Sequence, residues 1–363
     1  MKRNPPDLFL FMVTMALLAI GLIIVTSASA PESLSRTGGK SVFLVGGKQF
    51  IFALAGLALM FFMMKFPYWN LKKISLPAFL ISLAFLVLVL FLAEAVKGSR
   101  RWINLGFLVI QPSEFAKVAL IIFLAHYFAE IKKGISSLVP GVLLPLAFTG
   151  LVCALVLLEP DLGTTIVIFG TFMIMLFIGG ARISHLSFLG FLGLMGGTFL
   201  VVVEPYRLKR LFAFVDPWKD PQGNGWQIIQ SLYALGSGGP FGLGLGMGRQ
   251  KFDYLPEAHT DYIFSILGEE LGLLGTLTVI TLFFLLGWRG YKIAISSTDP
   301  FARLLAAGIT SYLVFQAILN IGVVTSSIPV TGITLPFLSA GGSSLVVSLF
   351  SVGILLNISK YTE

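Results

Sequence analysis

The sequence predicts an all-α polytopic membrane protein of ten transmembrane helices, with a large extracellular loop between helices 7 and 8, in one integral membrane domain covering residues 1–363. Three observations carry this. Of the 363 residues, 56% are hydrophobic and 12% charged, with a mean hydropathy of +0.92, whereas a soluble domain carries about 25% charged residues. Apolar runs near the roughly 20 residues that cross a bilayer as helix recur along the chain. One long polar segment, residues 204–260, interrupts them. The runs must be helical, because an open sheet would leave backbone groups unpaired in hydrocarbon.

The first run, Leu8 to Val25, follows Lys2 and Arg3 and precedes Ala28, Ser29 and Ala30. It is longer than a signal-peptide core and Pro31 would follow the cut, so it reads as a retained transmembrane helix. The ten spans are predicted at residues 8–28, 48–65, 74–95, 113–131, 138–158, 162–180, 184–203, 261–288, 302–324 and 336–358. An even number places both termini on one side. With that side cytoplasmic, it collects Lys2, Arg3, Lys65, Lys72, Lys73, Lys132, Lys133, Arg182, Arg289, Lys292, Arg303 and Lys360. The opposite side collects as many basic residues, but Arg100, Arg101, Arg207, Lys209, Arg210, Arg249 and Lys251 are concentrated in two loops where charge can serve function. Those loops aside, the bias favours cytoplasmic termini.

Basic residues scattered between apolar runs set orientation and meet anionic lipid, so the net charge of +8 does not imply nucleic acid. Cys153 is the single cysteine and sits in an apolar run, which excludes an internal disulfide. His126, His185 and His259 are not spaced as a metal pair, and no metal site is expected. Matching interrupted helices in the two halves, the mark of many transporters, are absent: Pro140 and Pro145 have no counterpart.

Two external segments carry the motifs. Val96 to Pro112 is amphipathic, with Trp102 placed for a headgroup boundary. Residues 204–260, punctuated by Pro205, Pro217, Pro221, Pro240 and Pro256, predict short interfacial helices. Within them, GSGGPFGLGLGMG (236–248) lacks the phosphate-loop pattern and suits close backbone packing. Arg207 and Arg210, at i, i+3, share a helical face, and with Arg100 and Arg101 they offer guanidinium forks for a pyrophosphate or for lipid headgroups.

Glu114 and Lys117 stand near the start of the fourth span, with Ser113 as its N-cap; capping accounts for Glu114 but not for Lys117, which needs a partner inside the apolar run. In EPDLGT (159–164), Asp161 reads as an N-cap. Asp261, with Glu257 one turn before it and Glu269 further in, is expected in the first turn of the eighth span, where it is either an N-cap or a general base. A base there needs its pKa raised by partial desolvation.

Taken together, EAHTDYIFSILGEELGLLG (257–275), RRWINLGFLVIQPSEFAK (100–117), EPDLGTT (159–165), RLKRLFAFVDPWKDPQGNGWQIIQSLYALGSGG (207–239) and TGITLPFLSAGGSSL (331–345) resemble the SEDS family of FtsW, RodA and SpoVE, in matching order over nearly the whole chain. EAHTDYIF with GEELG, and the ending GILLNIS, are more similar to FtsW or SpoVE than to RodA. The resemblance implies a peptidoglycan glycosyltransferase, acting in cell division, that polymerises lipid II on the outer face of the cytoplasmic membrane. It implies Asp261 as catalytic base, Glu114 and Lys117 as polar cavity residues, and Arg207 and Arg210 as basic positions of the large loop; Arg100, Arg101 and Glu257 join them as candidate substrate-binding residues. It further implies a class B penicillin-binding transpeptidase as partner, with a divalent cation as an optional aid to the departing pyrophosphate. Glu159 and Ala340 depart from the family's usual residues. The competing functions are a flippase or transporter of the same precursor, a RodA-like elongation polymerase, and a scaffold without chemistry.

Overall fold

The computed structural model describes residues 4–93, 100–104, 106 and 109–362. Lys2, Arg3, the side chains of Lys132 and Lys133, and residues 94–99, where the third predicted span ends and the first external segment begins, lie outside the described residues.

The described chain is almost wholly helical. Helices α1 (Leu8–Ala28), α3 (Leu44–Lys65), α4 (Trp69–Leu92), α5 (Pro112–Ile131), α6 (Leu144–Leu158), α7 (Leu162–Gly179), α8 (Ile183–Val203), α11 (Ile263–Ile295), α12 (Pro300–Val324) and α13 (Gly342–Ile358) form the bundle; α2 (Ala30–Thr37), α9 (Pro205–Val215) and α10 (Trp226–Ser237) are short. A two-stranded hairpin, β1 (Ile103–Asn104) with β2 (Val109–Ile110), pairs antiparallel in the first external segment. Among the described residues nine helices are long and apolar enough to cross a membrane. The remaining long helix, α5, carries Glu114, Lys117 and Glu130 within its 20 residues. It tolerates Glu114 and Lys117 because they pair with each other in the interior of the bundle, away from lipid, while Glu130 lies exposed near the helix end beside Lys72.

Burial orders the bundle from centre to rim. The apolar windows of α12 and α13 are 72% and 78% buried, against 6% for α8. The mean apolarity of a span does not distinguish the two, because lipid and protein interior are equally apolar solvents. The termini meet at one end, where the Asn4 amide donates to the Lys360 carbonyl at 2.9 Å. Pro140 lies in an irregular turn at Val139–Leu143 ahead of α6, wound as a π-helix, and Pro145 follows in the first turn of α6.

Several predicted boundaries move. The eighth span begins at Ile263, so Asp261 precedes the helix rather than sitting in its first turn. The last span begins at Gly342, leaving residues 326–341 as a non-helical segment that runs through the interior. Ser113 is the second residue of α5 and not its cap. Residues 204–260 contain two short helices, α9 and α10.

The largest departure lies inside α11, which is broken at Gly272 (φ 66°, ψ −162°), a conformation open only to glycine. The glycine-rich loop fills the break. Leu243 and Gly244 amides donate to the Glu269 and Glu270 carbonyls at 2.9 and 3.0 Å, and Leu273 and Leu274 amides donate to the Gly239 and Pro240 carbonyls at 2.9 and 3.2 Å. The four groups that the broken ladder leaves unpaired are thus satisfied by protein.

Candidate functional site

The turn that presents Asp261 is held by its backbone. The His259 carbonyl accepts from the Ala340 amide at 2.8 Å, the Thr260 carbonyl from the Ser339 hydroxyl at 2.6 Å, and the Asp261 carbonyl from the Asn320 amide nitrogen at 2.8 Å. Three successive carbonyls are therefore pinned to α12 and to the segment before α13, and the Asp261 side chain is left to project. Glu257 (φ 56°) closes the turn from the other side: its carbonyl accepts from the amides of Thr260 and Tyr262 at 3.1 and 3.2 Å, and its carboxylate takes the Thr260 hydroxyl at 3.0 Å.

Two further segments converge on Asp261. The first is Thr331–Thr334: a Cβ built on Gly332 (φ 69°) would stand 3.4 Å from Asp261 Oδ2. The second is the turn between α6 and α7, which packs on the first so closely that a Cβ on Gly163 would come within 2.7 Å of the Thr331 carbonyl. Asp161 caps α7, accepting from the Thr164 amide at 3.0 Å and its hydroxyl at 2.9 Å. Arg101 clamps this turn: Nε donates to the Glu159 carbonyl at 3.0 Å, Nη2 to the Pro160 carbonyl, and Nη1 lies 3.8 Å from Asp161 Oδ2.

These neighbours set the acidity of Asp261. Desolvation, then the charges of Glu257 and Asp161, push its carboxyl up to about 6, against the pull of Arg101 and Arg210. Glu159 is pushed further, to about 8, by burial and by Asp161, with Arg101 opposing. Its side chain is 0% exposed and both carboxyl oxygens lack a hydrogen-bond partner among the described residues.

Beside the turn a cavity of about 290 Å³ is lined by Tyr206, Arg210, Asn224, Trp226, Pro256 and Val330. Its volume falls near the small end of ligand sites. Arg210 stacks on the Tyr206 ring, 4.5 Å from the centroid, and this holds the guanidinium at the cavity wall.

Of the residues singled out from the sequence, Arg101, Arg210 and Glu257 gather around Asp261. Arg100 and Arg207 do not: Arg100 is exposed and donates to the Leu90 carbonyl at 3.3 Å, and Arg207 reaches back to Leu200 of α8 at 3.1 Å. Glu114 and Lys117 form a separate buried pair at 2.9 Å, with Lys117 also donating to Gln316 at 2.7 Å. Gln316 passes the connection on, donating to the Thr334 carbonyl at 2.9 Å, one helical turn before Asn320, which holds Asp261 and Ile333. The two clusters share α12 as a spine.

Asp161, Glu159, Gln316, Asn320 and Ser339 were not expected at the site. Only the two acidic residues carried a signal, their place beside Pro160 in a turn, and helix capping accounted for that. Among the described residues no group of three or more His, Cys, Asp or Glu is placed to hold a metal ion.

Comparison with known proteins follows the same lines. The family model described as "Cell cycle protein", covering FtsW, RodA and SpoVE, matches residues 7–363. The chain is 48% identical to stage V sporulation protein E of Bacillus subtilis, over 100% of this chain and 99% of that one. It is 43% identical to a probable peptidoglycan glycosyltransferase FtsW of Trichlorobacter lovleyi, over 97% and 93%. Among solved structures, a chain from a peptidoglycan synthase complex that coordinates polymerisation and crosslinking superposes with a TM-score of 0.80 at 30% identity, covering 98% of this chain and 97% of that one. The rod shape determining protein RodA of Thermus thermophilus does so with 0.72 at 28%, covering 99% and 98%.

Proposed function

This chain belongs to the FtsW, RodA and SpoVE family of cell cycle proteins, and on that premise we propose that it is a peptidoglycan glycosyltransferase in which Asp261 is the general base. It is a multi-pass membrane protein whose substrate is lipid II, a disaccharide peptide carried on a polyprenyl pyrophosphate. We infer the orientation from the distribution of basic residues: both termini cytoplasmic, with ten crossings counting α5, and Asp261 on the outer face.

The acceptor sugar's 4-hydroxyl attacks the anomeric carbon of the donor while Asp261 takes its proton. The bond to the lipid pyrophosphate breaks, and displacement at an α-linked donor leaves a β-linkage. A base works best with a pKa near the operating pH, and an aspartate at its ordinary value would hold the proton too weakly. The observation that supports this reading most is the combination around residue 261: a carboxyl raised to about 6 with two guanidinium groups close enough to act on it. Arg101 and Arg210 are the groups to offset charge on the leaving pyrophosphate, a contribution that usually dominates such transfers. Arg101 is pre-oriented by the 159–160 carbonyls and Arg210 by the Tyr206 ring, so neither has to reorganise during the reaction.

The likeness to a chain of a synthase complex supports a class B penicillin-binding transpeptidase as partner. The test uses purified chain with its transpeptidase in liposomes. Asp261→Asn is expected to lower polymerisation of labelled lipid II by about 10²–10⁴-fold, the usual contribution of a positioned base, while lipid II binding persists. Glycan strands forming at the parent rate would remove Asp261 as the base. Translocation of lipid II between leaflets without any polymerisation, in parent protein, would point to a flippase instead.

A further inference from the structure

Residues 238–252 stand out as non-helical backbone lying alongside a membrane span. Every residue of α11 from Ile263 to Glu270 is buried, whereas Leu273, Leu274 and Leu277, just past the break, are exposed as lipid-facing residues of a span are. The glycine-rich loop packs against α11 at the end of this buried stretch, through the backbone bonds at the break. Glu269 and Glu270 lie six and seven residues into the helix, about 10 Å along its axis at 1.5 Å per residue. Carboxylates at that depth need partners, and the loop supplies them. Glu269 accepts from the Arg249 amide at 2.7 Å and the Gln250 amide at 3.3 Å. Glu270 pairs with Lys251 at 2.6 Å, and Ser27 of α1 bonds both.

We propose that residues 238–252 form a re-entrant loop whose outer edge, Phe241, Leu243, Leu245 and Met247, lies against the hydrocarbon of the bilayer leaflet on the Asp261 side. Irregular backbone is stable at membrane depth only where protein satisfies it, and the loop meets that condition on its inner side through α11. Its outer side shows four large apolar side chains, all exposed, and Phe241 is 78% exposed. The bonds of the Leu273 and Leu274 amides to the Gly239 and Pro240 carbonyls set this edge beside the exposed Leu273 and Leu274 of α11. Arg249, exposed at the end of the loop, has the length to reach the headgroups. A soluble loop gains nothing from such an edge, and a bilayer stabilises it.

The experiment replaces Cys153 with Ser and introduces single nitroxide-labelled cysteines: Phe241→Cys, Leu245→Cys and Met247→Cys, with Phe284→Cys as a mid-span control and Lys219→Cys as a water control. Collision with oxygen and with a nickel chelate is read in nanodiscs containing the chain alone. The loop labels are expected to match Phe284→Cys, with oxygen collisions dominant. Nickel-dominated collisions matching Lys219→Cys would overturn the proposal. So would labels that are wet in the isolated chain and become shielded only when a second protein is added, since the edge would then be a protein-docking face. Phe241→Trp, which keeps the side chain apolar, reports independently: acyl-brominated lipids are expected to quench its added fluorescence, and an unquenched increment would sink the idea. None of these readouts requires catalysis, so the outcome is separable from the fate of Asp261.

Discussion

Asp261 is acidic enough to ionise in the cell and basic enough to take a proton, because desolvation and two carboxylates outweigh two arginines around it. In its proposed role as base Asp261 must be deprotonated, so kcat/KM is expected to rise with pH through about 6 and then level. Glu257→Gln removes one of the raising charges and keeps the Thr260 bond available, so the acidic limb is expected at lower pH; an unmoved limb would exclude Glu257 from the electrostatics. Glu159 behaves differently. Its folded pKa of about 8 lies above the ordinary glutamate value of 4.5, so folding favours the protonated form. Stability is therefore undiminished below about 4.5 and falls as pH rises toward 8, where the unfolded chain gains by ionising and the folded chain does not. Glu159→Gln, neutral at every pH, is expected to melt above the parent by a margin that grows between pH 5 and 8. A pH-independent margin would mean that Glu159 is ionised in the fold. Asp261 could be picked out in the sequence because a carboxylate at the edge of an apolar run demands a reason. Asp161 offered a sufficient one as a cap, and so its charge on Asp261 was overlooked.

Among the elements, α11 depends most on its neighbours. The Lys251–Glu270 pair is almost fully buried, and removing one partner leaves the other charge uncompensated, at a cost of about 3–5 kcal/mol. Lys251→Met alone is expected to destabilise the protein more than Lys251→Met with Glu270→Met, in thermal unfolding followed in detergent. Equal losses would show that the pair is not coupled. The sequence made α11 visible as one apolar run and placed glycines before it, and nothing local connected the two. Gly272 reads as an ordinary residue of a span until the loop 30 residues earlier is brought against it, and only then does its left-handed conformation have a cause.

At the scale of the molecule, the termini are tied together, and Asp7 pairs with Arg289 toward the end of α11 opposite Asp261. In the proposed orientation, a reporter fused at either terminus is expected to be protected from protease added to intact cells; cleavage at both would invert the orientation and with it the access of Asp261 to exported substrate. The run of apolar spans, the short helices within residues 204–260 and the acidic residue just ahead of α11 are legible in the sequence alone, because each rests on hydropathy and charge counted within a window of about 20 residues. The site is not. It is closed by Asn320 and Ser339 bonding carbonyls 59 and 79 residues away, and by Arg101 gripping a turn 58 residues on. Backbone carbonyls are the same at every position, so no residue type announces such partners, and only the packing of α12 against α11 and the 331–341 segment decides which carbonyl each side chain meets.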